Sequence, residues 1–226
     1  MGADVGRKVI FSVLGVIAAI AMLLCALYCL GFFQFVDREE VSKMPDGFGN
    51  LYSGALADGV MVGFGEIVYE SGDKYKGEFK MGVYEGSGVF SSASGWEYRG
   101  EFKNGLPDGE GEFKDANGGV FYGIFEEGKI TGNGAFSQPD GWVYDGMWNQ
   151  GRQVGEGTFT YDDGSVYQGG FLDGAASGPG HYQDKDGWSY DGGFLQGLFE
   201  GEGTLTFDNG EEISGQWSAG QPAEAE

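Results

Sequence analysis

Histidine, cysteine, proline and basic residues are scarce in this sequence of 226 residues. It has one histidine, two cysteines, five prolines, and 13 lysines and arginines against 35 aspartates and glutamates, which gives a formal net charge of −22. The low proline content and the absence of a recurring Gly-X-Y triplet exclude a collagen-like chain. The charge argues against nucleic acid as a partner, because nucleic-acid binding needs a basic surface. It also argues against adhesion to anionic lipid head groups.

The residues that usually carry catalysis or bind metals are equally few. Cys25 and Cys29 lie in an apolar run near the amino terminus, so residues 30–226 offer no disulfide and no thiolate ligand. His181, the one histidine, lacks the partners of a Ser-His-Asp or metal-ligand set. Paired carboxylates at 162–163 and 211–212 lie beside turn signals, where such side chains bond to local backbone. We therefore expect no catalytic residue, no metal, no cofactor and no enzymatic activity.

Glycine and aromatic residues, by contrast, are abundant. The chain has 46 glycines, about a fifth of all residues against a usual share of about 7 per cent, and 15% of its residues are aromatic. Glycine inside a helix costs about 1 kcal/mol per residue, so a helical domain is disfavoured. The aromatic content argues against disorder. Together these residues favour short strands joined by tight turns.

A long uncharged segment lies near the amino terminus. Residues 9–33 contain no charged residue over 25 positions. A helix of that length spans roughly 37 Å, enough to cross a hydrocarbon core of about 30 Å. The alternative is a cleaved signal peptide, whose apolar region is usually about 7–15 residues long and ends in a small-residue cleavage site. Because the run is longer and no convincing cleavage site follows, we predict a retained single-pass signal anchor, a transmembrane helix over 9–33 preceded by a flank at 1–8.

Charges beside this segment predict its orientation. Arg7 and Lys8 precede it, whereas Asp37, Glu39 and Glu40 lie on its other side with a single arginine. Basic residues stay preferentially in the cytoplasm. We predict a cytoplasmic amino terminus and an extracytoplasmic position for residues 37–226.

A period of 23 residues runs through the rest of the chain without a slip. Seven full repeats cover 52–212 and a partial eighth follows, so that the repeat domain spans 49–220 between a spacer at 34–48 and a tail at 221–226. We number the 23 positions as columns. Column 1 is aromatic in the seven full repeats, columns 3, 8, 12, 14 and 21 are glycine, and columns 5 and 16 are large and apolar. Column 1 consists of Tyr52, Tyr75, Tyr98, Phe121, Tyr144, Tyr167, Tyr190 and Ile213.

The columns predict β-hairpins. Columns 1, 3 and 5 alternate, as do columns 12, 14 and 16, and alternation with period two indicates strands. Columns 20 and 21 read Ser, Asn or Asp followed by Gly, a turn signal. A three-residue loop at columns 19–21 pairs column 16 with the next column 1 and places every aromatic column on one face, whereas a two-residue loop does not. We predict the three-residue loop, with glycines in columns 3, 12 and 14 leaving room for rings. Column 18 then pairs with column 22 and contributes one aromatic residue per repeat, except at Asp115 and Gly119 in repeat 3, the predicted weak point.

The column pattern resembles the MORN (membrane occupation and recognition nexus) repeat family, as in YKGEFKMGVYEGSGVF at 75–90 and YRGEFKNGLPDGEGEF at 98–113. The resemblance implies an all-β fold, one elongated antiparallel sheet of consecutive MORN β-hairpins, here preceded by the transmembrane helix. Enzymatic members of the family carry their activity in an added domain. Lipid-head-group binding has been linked to the family, but the acidic charge makes phospholipid head groups an unfavourable partner here.

The aromatic face is the predicted partner-binding surface, since its Trp and Tyr side chains form an amphipathic stripe. The alternative, that these rings only pack on each other, stays open. The leading functional hypothesis is a membrane-anchored scaffold that recruits a protein partner with a basic surface, because two basic residues oppose 16 acidic ones within 130–226. The other hypotheses are a glycan- or cell-wall-binding module and a lipid contact that bridges two membranes. The candidate residues are Trp96, Trp142, Tyr144, Trp148, Trp188, Tyr190 and Trp217.

Overall fold

A computed structural model of the chain describes residues 38–223. The predicted transmembrane helix at 9–33 and the last three residues of the tail lie outside this range. Within 38–223 the regular structure is entirely β-strand, and no helix there has the length and apolar character needed to cross a membrane.

Seventeen strands form one antiparallel sheet, and each strand pairs with the next along the chain. The sequence predicts a single antiparallel sheet for the repeat domain. Strands β2 to β16 are the repeat strands, two per full repeat. Strand β1 lies in the segment assigned to the spacer, and β17 lies in the segment assigned to the tail. The strands are β1 Arg38–Pro45, β2 Leu51–Ala57, β3 Val60–Val68, β4 Lys74–Lys80, β5 Val83–Ser91, β6 Glu97–Lys103, β7 Leu106–Lys114, β8 Val120–Glu126, β9 Lys129–Ser137, β10 Val143–Asn149, β11 Arg152–Thr160, β12 Val166–Leu172, β13 Ala175–Gln183, β14 Ser189–Leu195, β15 Leu198–Thr206, β16 Glu212–Ser218 and β17 Gln221–Pro222.

The loops between repeats have the predicted three-residue length. Ile67 of column 16 pairs with Tyr75 of the next column 1, and Gly65 pairs with Gly77. The amide of Tyr69 in column 18 donates to the carbonyl of Asp73 in column 22, 2.9 Å away. A second bond, from the amide of column 21 to the carbonyl of column 18, closes the turn, and the column-21 glycine has a φ of 84–109°. This is a type I turn followed by a left-handed glycine, so the predicted register is confirmed.

The turns inside each repeat are two-residue type I′ turns at columns 7 and 8, which the column pattern did not reveal. Both central residues have positive φ, for example 51° at Met81 and 82° at Gly82. A type I′ turn favours Asn-Gly or Asp-Gly, because Asn and Asp tolerate this backbone region better than most residues. Column 7 instead varies, with Glu127, Gln150 and Ala219 among its members. Several of these turns therefore contain backbone strain that a substitution should relieve.

Met81→Asn should raise the free energy of unfolding by about 0.5–1 kcal/mol, because asparagine accepts the left-handed backbone at lower cost. The Met81 side chain is 79% exposed, so little packing is lost. Equilibrium denaturation of the full chain in detergent measures the change, with Met81→Ala as a control that keeps the strain. Equal stability of the two variants would show that the backbone conformation at this position is not strained.

The glycine of column 12 is required by backbone conformation rather than by ring packing, which corrects the sequence-based explanation. Inside a repeat, columns 1–3 pair with 16–14 and columns 4–6 pair with 11–9, so columns 12 and 13 form a bulge. Column-12 glycines have φ between 62° and 107°. A Cβ built on Gly63 would meet nothing within 4 Å, so space is not the constraint there.

Glycines of columns 3 and 14 do make room for a ring. Gly146 pairs with Gly157 inside repeat 5, and the Tyr144 ring lies over this pair. A Cβ on Gly146 would approach the Tyr144 hydroxyl to 2.5 Å. The Tyr144 hydroxyl in turn donates to the carbonyl of Met147, 3.1 Å away. Each column-1 ring thus lies flat over a pair of glycines that have no side chain, as the sequence predicts.

Candidate partner-binding surfaces

One face of the sheet, here called the ring face, contains the aromatic core. Column-1 and column-5 rings alternate along the sheet in edge-to-face contacts. Tyr75, for example, meets Phe79 of its own repeat at 5.1 Å and Phe102 of the next at 5.0 Å. The series continues to Tyr190 and Trp217, 5.2 Å apart. Each such pair adds about 0.5–1.5 kcal/mol beyond the area it buries.

Mutual coverage buries these rings even though the sheet is a single layer. Column 1 is at most 2% exposed in all seven full repeats, and column 5 is at most 8% exposed in all eight. Column 10 adds cover in some repeats: the Tyr84 ring stacks on Tyr75 with centroids 3.6 Å apart, and Phe199 stacks on Tyr190 at 3.8 Å. The rings therefore cover one another, as a second layer would cover them in a thicker domain.

The seven predicted partner-binding residues divide into two groups. Tyr144, Trp148, Tyr190 and Trp217 belong to the buried series, and the indole nitrogens of both tryptophans donate to backbone carbonyls. Trp96, Trp142 and Trp188 lie in column 22 near the turns and are half-buried. Their indoles pack on column-16 rings, as Trp142 does on Phe159 at 5.3 Å and Trp96 on Phe90 at 5.1 Å. A role for any of these seven residues in partner binding stays a prediction.

The ring face has an apolar groove of about 490 Å³ at repeats 3 and 4. It lies beside the predicted weak point, where Asp115 and Gly119 occupy the two columns that supply one aromatic residue in other repeats, and Pro107 occupies column 10. Hydrogen bonds stabilise this turn in place of the missing aromatic residue. The Asp115 carboxylate accepts from the amides of Asn117 and Gly119 at 2.8 and 2.9 Å. The groove is lined by Trp96, Tyr98, Leu106, Pro107, Phe113, Phe125, Gly128, Lys129, Ile130, Gln150 and Gly151.

The opposite face, here called the groove face, includes columns 2, 4, 13, 15 and 17. Within these columns four large apolar side chains are exposed: Phe64 by 63%, Tyr122 by 60%, Met147 by 45% and Ile124 by 36%. Their columns hold mostly small or polar residues in other repeats, such as Ser87, Gln168 and Gln216. The fold does not use these four side chains to cover its core.

Two open grooves run along this face, with column-3 and column-14 glycines in their floors. The first, of about 760 Å³, has Phe64 and Tyr122 at its ends and Lys76, Val89 and Arg99 between them. The second, of about 670 Å³, is lined by Asp145, Glu156, Gln168, Pro179 and His181 with their neighbours. The column-2 and column-15 side chains lie opposite one another, as Arg99 and Glu112 do, and form one row across the strands.

The exposed apolar residues of the groove face were missed by the sequence-based prediction, which concentrated on conserved aromatic columns. A signal for them is present in the repeat alignment. Tyr122 is the one aromatic residue in column 2, and Phe64 is the one aromatic residue in column 13. A departure from a column pattern on the face that does not form the core indicates a role outside folding.

Carboxylates form hydrogen bonds with nearby groups, both at the turns and on the groove face. The amide of Ala93 donates to the Asp73 carboxylate at 2.8 Å, and this bond is the main reason that the pKa of Asp73 is lowered. The amide of Ser165 lowers the pKa of Asp163 in the same way. On the groove face, Nδ1 of His181 is 2.7 Å from the Asp191 carboxylate. No group of three or more His, Cys, Asp or Glu side chains within 38–223 is arranged to bind a metal ion.

Comparison with known proteins gives a family and a loose structural likeness. The MORN repeat model matches seven consecutive segments, 52–74, 75–97, 98–120, 121–143, 144–166, 167–189 and 190–212. No curated protein is significantly similar to the chain in sequence.

Two of the solved chains that are similar to this one illustrate how low the sequence identity is. One is the SAS-4 (dCPAP) TCP domain of Drosophila melanogaster in complex with a proline-rich motif of Ana2, at 13% identity, covering 80% of this chain and 92% of that one, with a TM-score of 0.43. The other is the TCP10 domain of Danio rerio CPAP in complex with a STIL peptide, at 14% identity, 79% and 100% coverage, and a TM-score of 0.35. Because both TM-scores are below 0.5, neither chain informs the function of this one.

Proposed function

We propose that this chain, which belongs to the MORN repeat family, is a membrane-anchored, non-enzymatic scaffold that binds a protein partner on the groove face of its sheet. The observation that carries the proposal is the exposure of Phe64, Tyr122, Ile124 and Met147 where other repeats have mostly small or polar residues. Exposed apolar side chains rimmed by polar groups are typical of protein–protein contact surfaces.

The ring face is a weaker candidate, because its rings already serve the fold. Tyr144 and Tyr190 are fully buried, so a partner could reach them only by displacing Trp148, Phe199 or Trp217. On the groove face a partner can add contacts without disturbing the core. The ring face would thus stabilise the fold and the groove face would bind the partner, which suits a scaffold because binding then leaves the core unchanged.

The anchor in the proposal rests on the uncharged run at 9–33, which is long enough to span a bilayer. The basic pair Arg7 and Lys8 supports a cytoplasmic amino terminus with the sheet on the other side. Anchoring would hold the groove face close to one membrane and concentrate its partner there.

Proximity labelling from an enzyme fused after residue 226, in the native membrane, tests the partner and the topology together. We expect labelled proteins from the extracytoplasmic side, and a subset of them should be lost when Tyr122→Gln and Met147→Gln are combined. Gln168 and Gln216 occupy the same columns in other repeats, so this variant should keep its fold.

Leu172→Gln is the matched control, because Leu172 is 63% exposed but lies in column 6, outside both grooves. An unchanged set of labelled proteins in the double variant would exclude the groove face as the binding surface. Labelling of cytoplasmic proteins would instead reverse the proposed orientation.

A further inference from the structure

We infer that the groove face selects a basic segment of its protein partner, with an apolar side chain seated on Tyr122, Ile124 and Met147 and its cationic groups over repeats 5–7. This inference rests on the proposed function and adds the chemistry of the partner and its placement on the sheet. Three independent features support it: the position of the apolar side chains, the distribution of charge, and the shape of the groove floor.

Tyr122, Ile124 and Met147 lie close together near the middle of the sheet and are here called the anchor site. Tyr122 and Ile124 lie two residues apart on β8 and so face the same side. Met147 lies on β10, about 10 Å further along the sheet, with β9 between them. Ala135 of β9 pairs with Tyr122 and so lies on the same face, where its short side chain adds apolar surface. A single large apolar residue of a partner can contact this anchor site.

The charge beyond the anchor site has one sign. From repeat 5 onward, columns 2, 4, 13, 15 and 17 contain four carboxylates and no lysine or arginine. The two basic residues of this half, Arg152 and Lys185, lie at the turns and pair with Asp173 and Asp186 at 3.1 and 2.8 Å. The carboxylates are Asp145, Glu156, Asp191 and Glu202.

These carboxylates differ in whether they already interact with another side chain of the sheet. Asp191 lies against His181, and Glu202 accepts from the Gln216 amide at 2.7 Å. Asp145 and Glu156 form no ion pair with residues of 38–223 and lie next to the anchor site. Since Asp145 and Met147 occupy columns 2 and 4 of the same strand, one partner segment can contact both. Opposite charge is therefore the complement that this half of the groove face requires.

The groove floor is more open on the acidic side. Column 4 contains Glu78 and Glu101 in repeats 2 and 3, and the Glu78 carboxylate accepts from the Ser87 amide at 3.3 Å. In repeats 6 and 7 the same column is Gly170 and Gly193. A Cβ at Gly170 would come within 2.3 Å of the Ser177 carbonyl oxygen, so the backbone itself keeps this position bare. A partner segment can thus approach the backbone in repeats 6 and 7.

Selection from a random-peptide display library against the full chain in detergent micelles tests the inference. We expect the retained peptides to be enriched in lysine and arginine around one large apolar residue. A peptide retained in the selection is then synthesised. Combining Tyr122→Gln with Met147→Gln should weaken its binding by about tenfold or more, as loss of a central interface residue does. Combining Asp145→Asn with Glu156→Gln should weaken binding and flatten its dependence on salt. Leu172→Gln should leave binding unchanged.

Three outcomes would overturn the inference: selected peptides that are acidic or charge-neutral, no selected peptides, or selected peptides whose affinity is unaffected by both double variants. These outcomes are separable from failure of the proposed function. If proximity labelling still depends on Tyr122 and Met147 while the library yields acidic peptides, the groove face binds a partner but not a basic one.

Discussion

Gly157→Ala is expected to lower the free energy of unfolding by about 3 kcal/mol or more, a large fraction of the stability of a typical domain. The added Cβ would lie 2.7 Å from the Tyr144 hydroxyl oxygen and 2.8–2.9 Å from two ring carbons. The ring cannot retreat, since it is fully buried and in edge-to-face contact with Trp148 at 5.2 Å and Phe171 at 4.8 Å. Denaturant titration followed by circular dichroism measures the loss.

Gly164→Ala is the matched control. Gly164 has a φ of 94° and nothing within 4 Å of a built Cβ, so its substitution costs only backbone strain, about 1–2 kcal/mol. Gly157 has no positive φ, so its substitution reports ring contact alone. If both variants lost the same stability, contact with the tyrosine ring would not be the reason for glycine in column 14.

Alkaline pH should unfold the sheet cooperatively between about pH 10 and pH 12. Burial raises the pKa of Tyr98, Tyr144 and Tyr167 from 10.0 to about 12, and it raises the pKa of Tyr75 as well. In this interval the folded chain binds more protons than the unfolded chain, so the free energy of unfolding falls as pH rises. A shift of about two units corresponds to roughly 3 kcal/mol for each residue once the pH exceeds the folded-state pKa. Several such residues together amount to a substantial part of a whole domain's stability.

In ultraviolet absorbance, tyrosinate formation by the buried column-1 rings should coincide with the loss of circular dichroism in one transition. Tyr144→Phe is the control, because Phe121 already occupies column 1 over Gly123 and Gly134 in repeat 4. This variant should move the transition to higher pH while losing about 1 kcal/mol at neutral pH with the hydroxyl bond to Met147. Complete tyrosinate formation near pH 10 with the sheet intact would show that the column-1 rings are accessible to solvent.

The register of the sheet was predictable because two independent patterns agree on it. The turn glycine of column 21 and the shared face of the aromatic columns are both satisfied by a three-residue loop, and Gly63 does pair with Phe79 as that loop requires. A one-residue slip would move the rings to the other face, so few alternatives survive. The identity of the family follows from the same columns.

The conformations inside the repeat were less predictable. Met81 and Glu127 have left-handed backbone although neither residue favours it, because the flanking strands impose a type I′ turn. The column-12 glycine looked like a packing feature, yet its positive φ comes from a bulge whose position depends on how both neighbouring strands pair. Non-local pairing of this kind leaves little trace in local sequence.

The candidate site was predictable only in part. A single sheet suggested exposed rings, but Tyr144 is covered by Trp148 and Phe171, which come from its own repeat and the next. Coverage by neighbours is a cooperative property that no one repeat shows. Tyr122 and Met147 became visible as candidates only when burial separated the residues that the fold needs from those it does not.

The edge-to-face series links each repeat only to its immediate neighbours, as Tyr98 bridges Phe102 and Phe125. Duplication or loss of a whole 23-residue block in the gene would therefore join two surfaces that already fit each other. Evolution could lengthen or shorten such a protein without redesigning any junction. The number of repeats would then set the length of the recognition surface, which could change in steps of about 10 Å, the width of two strands.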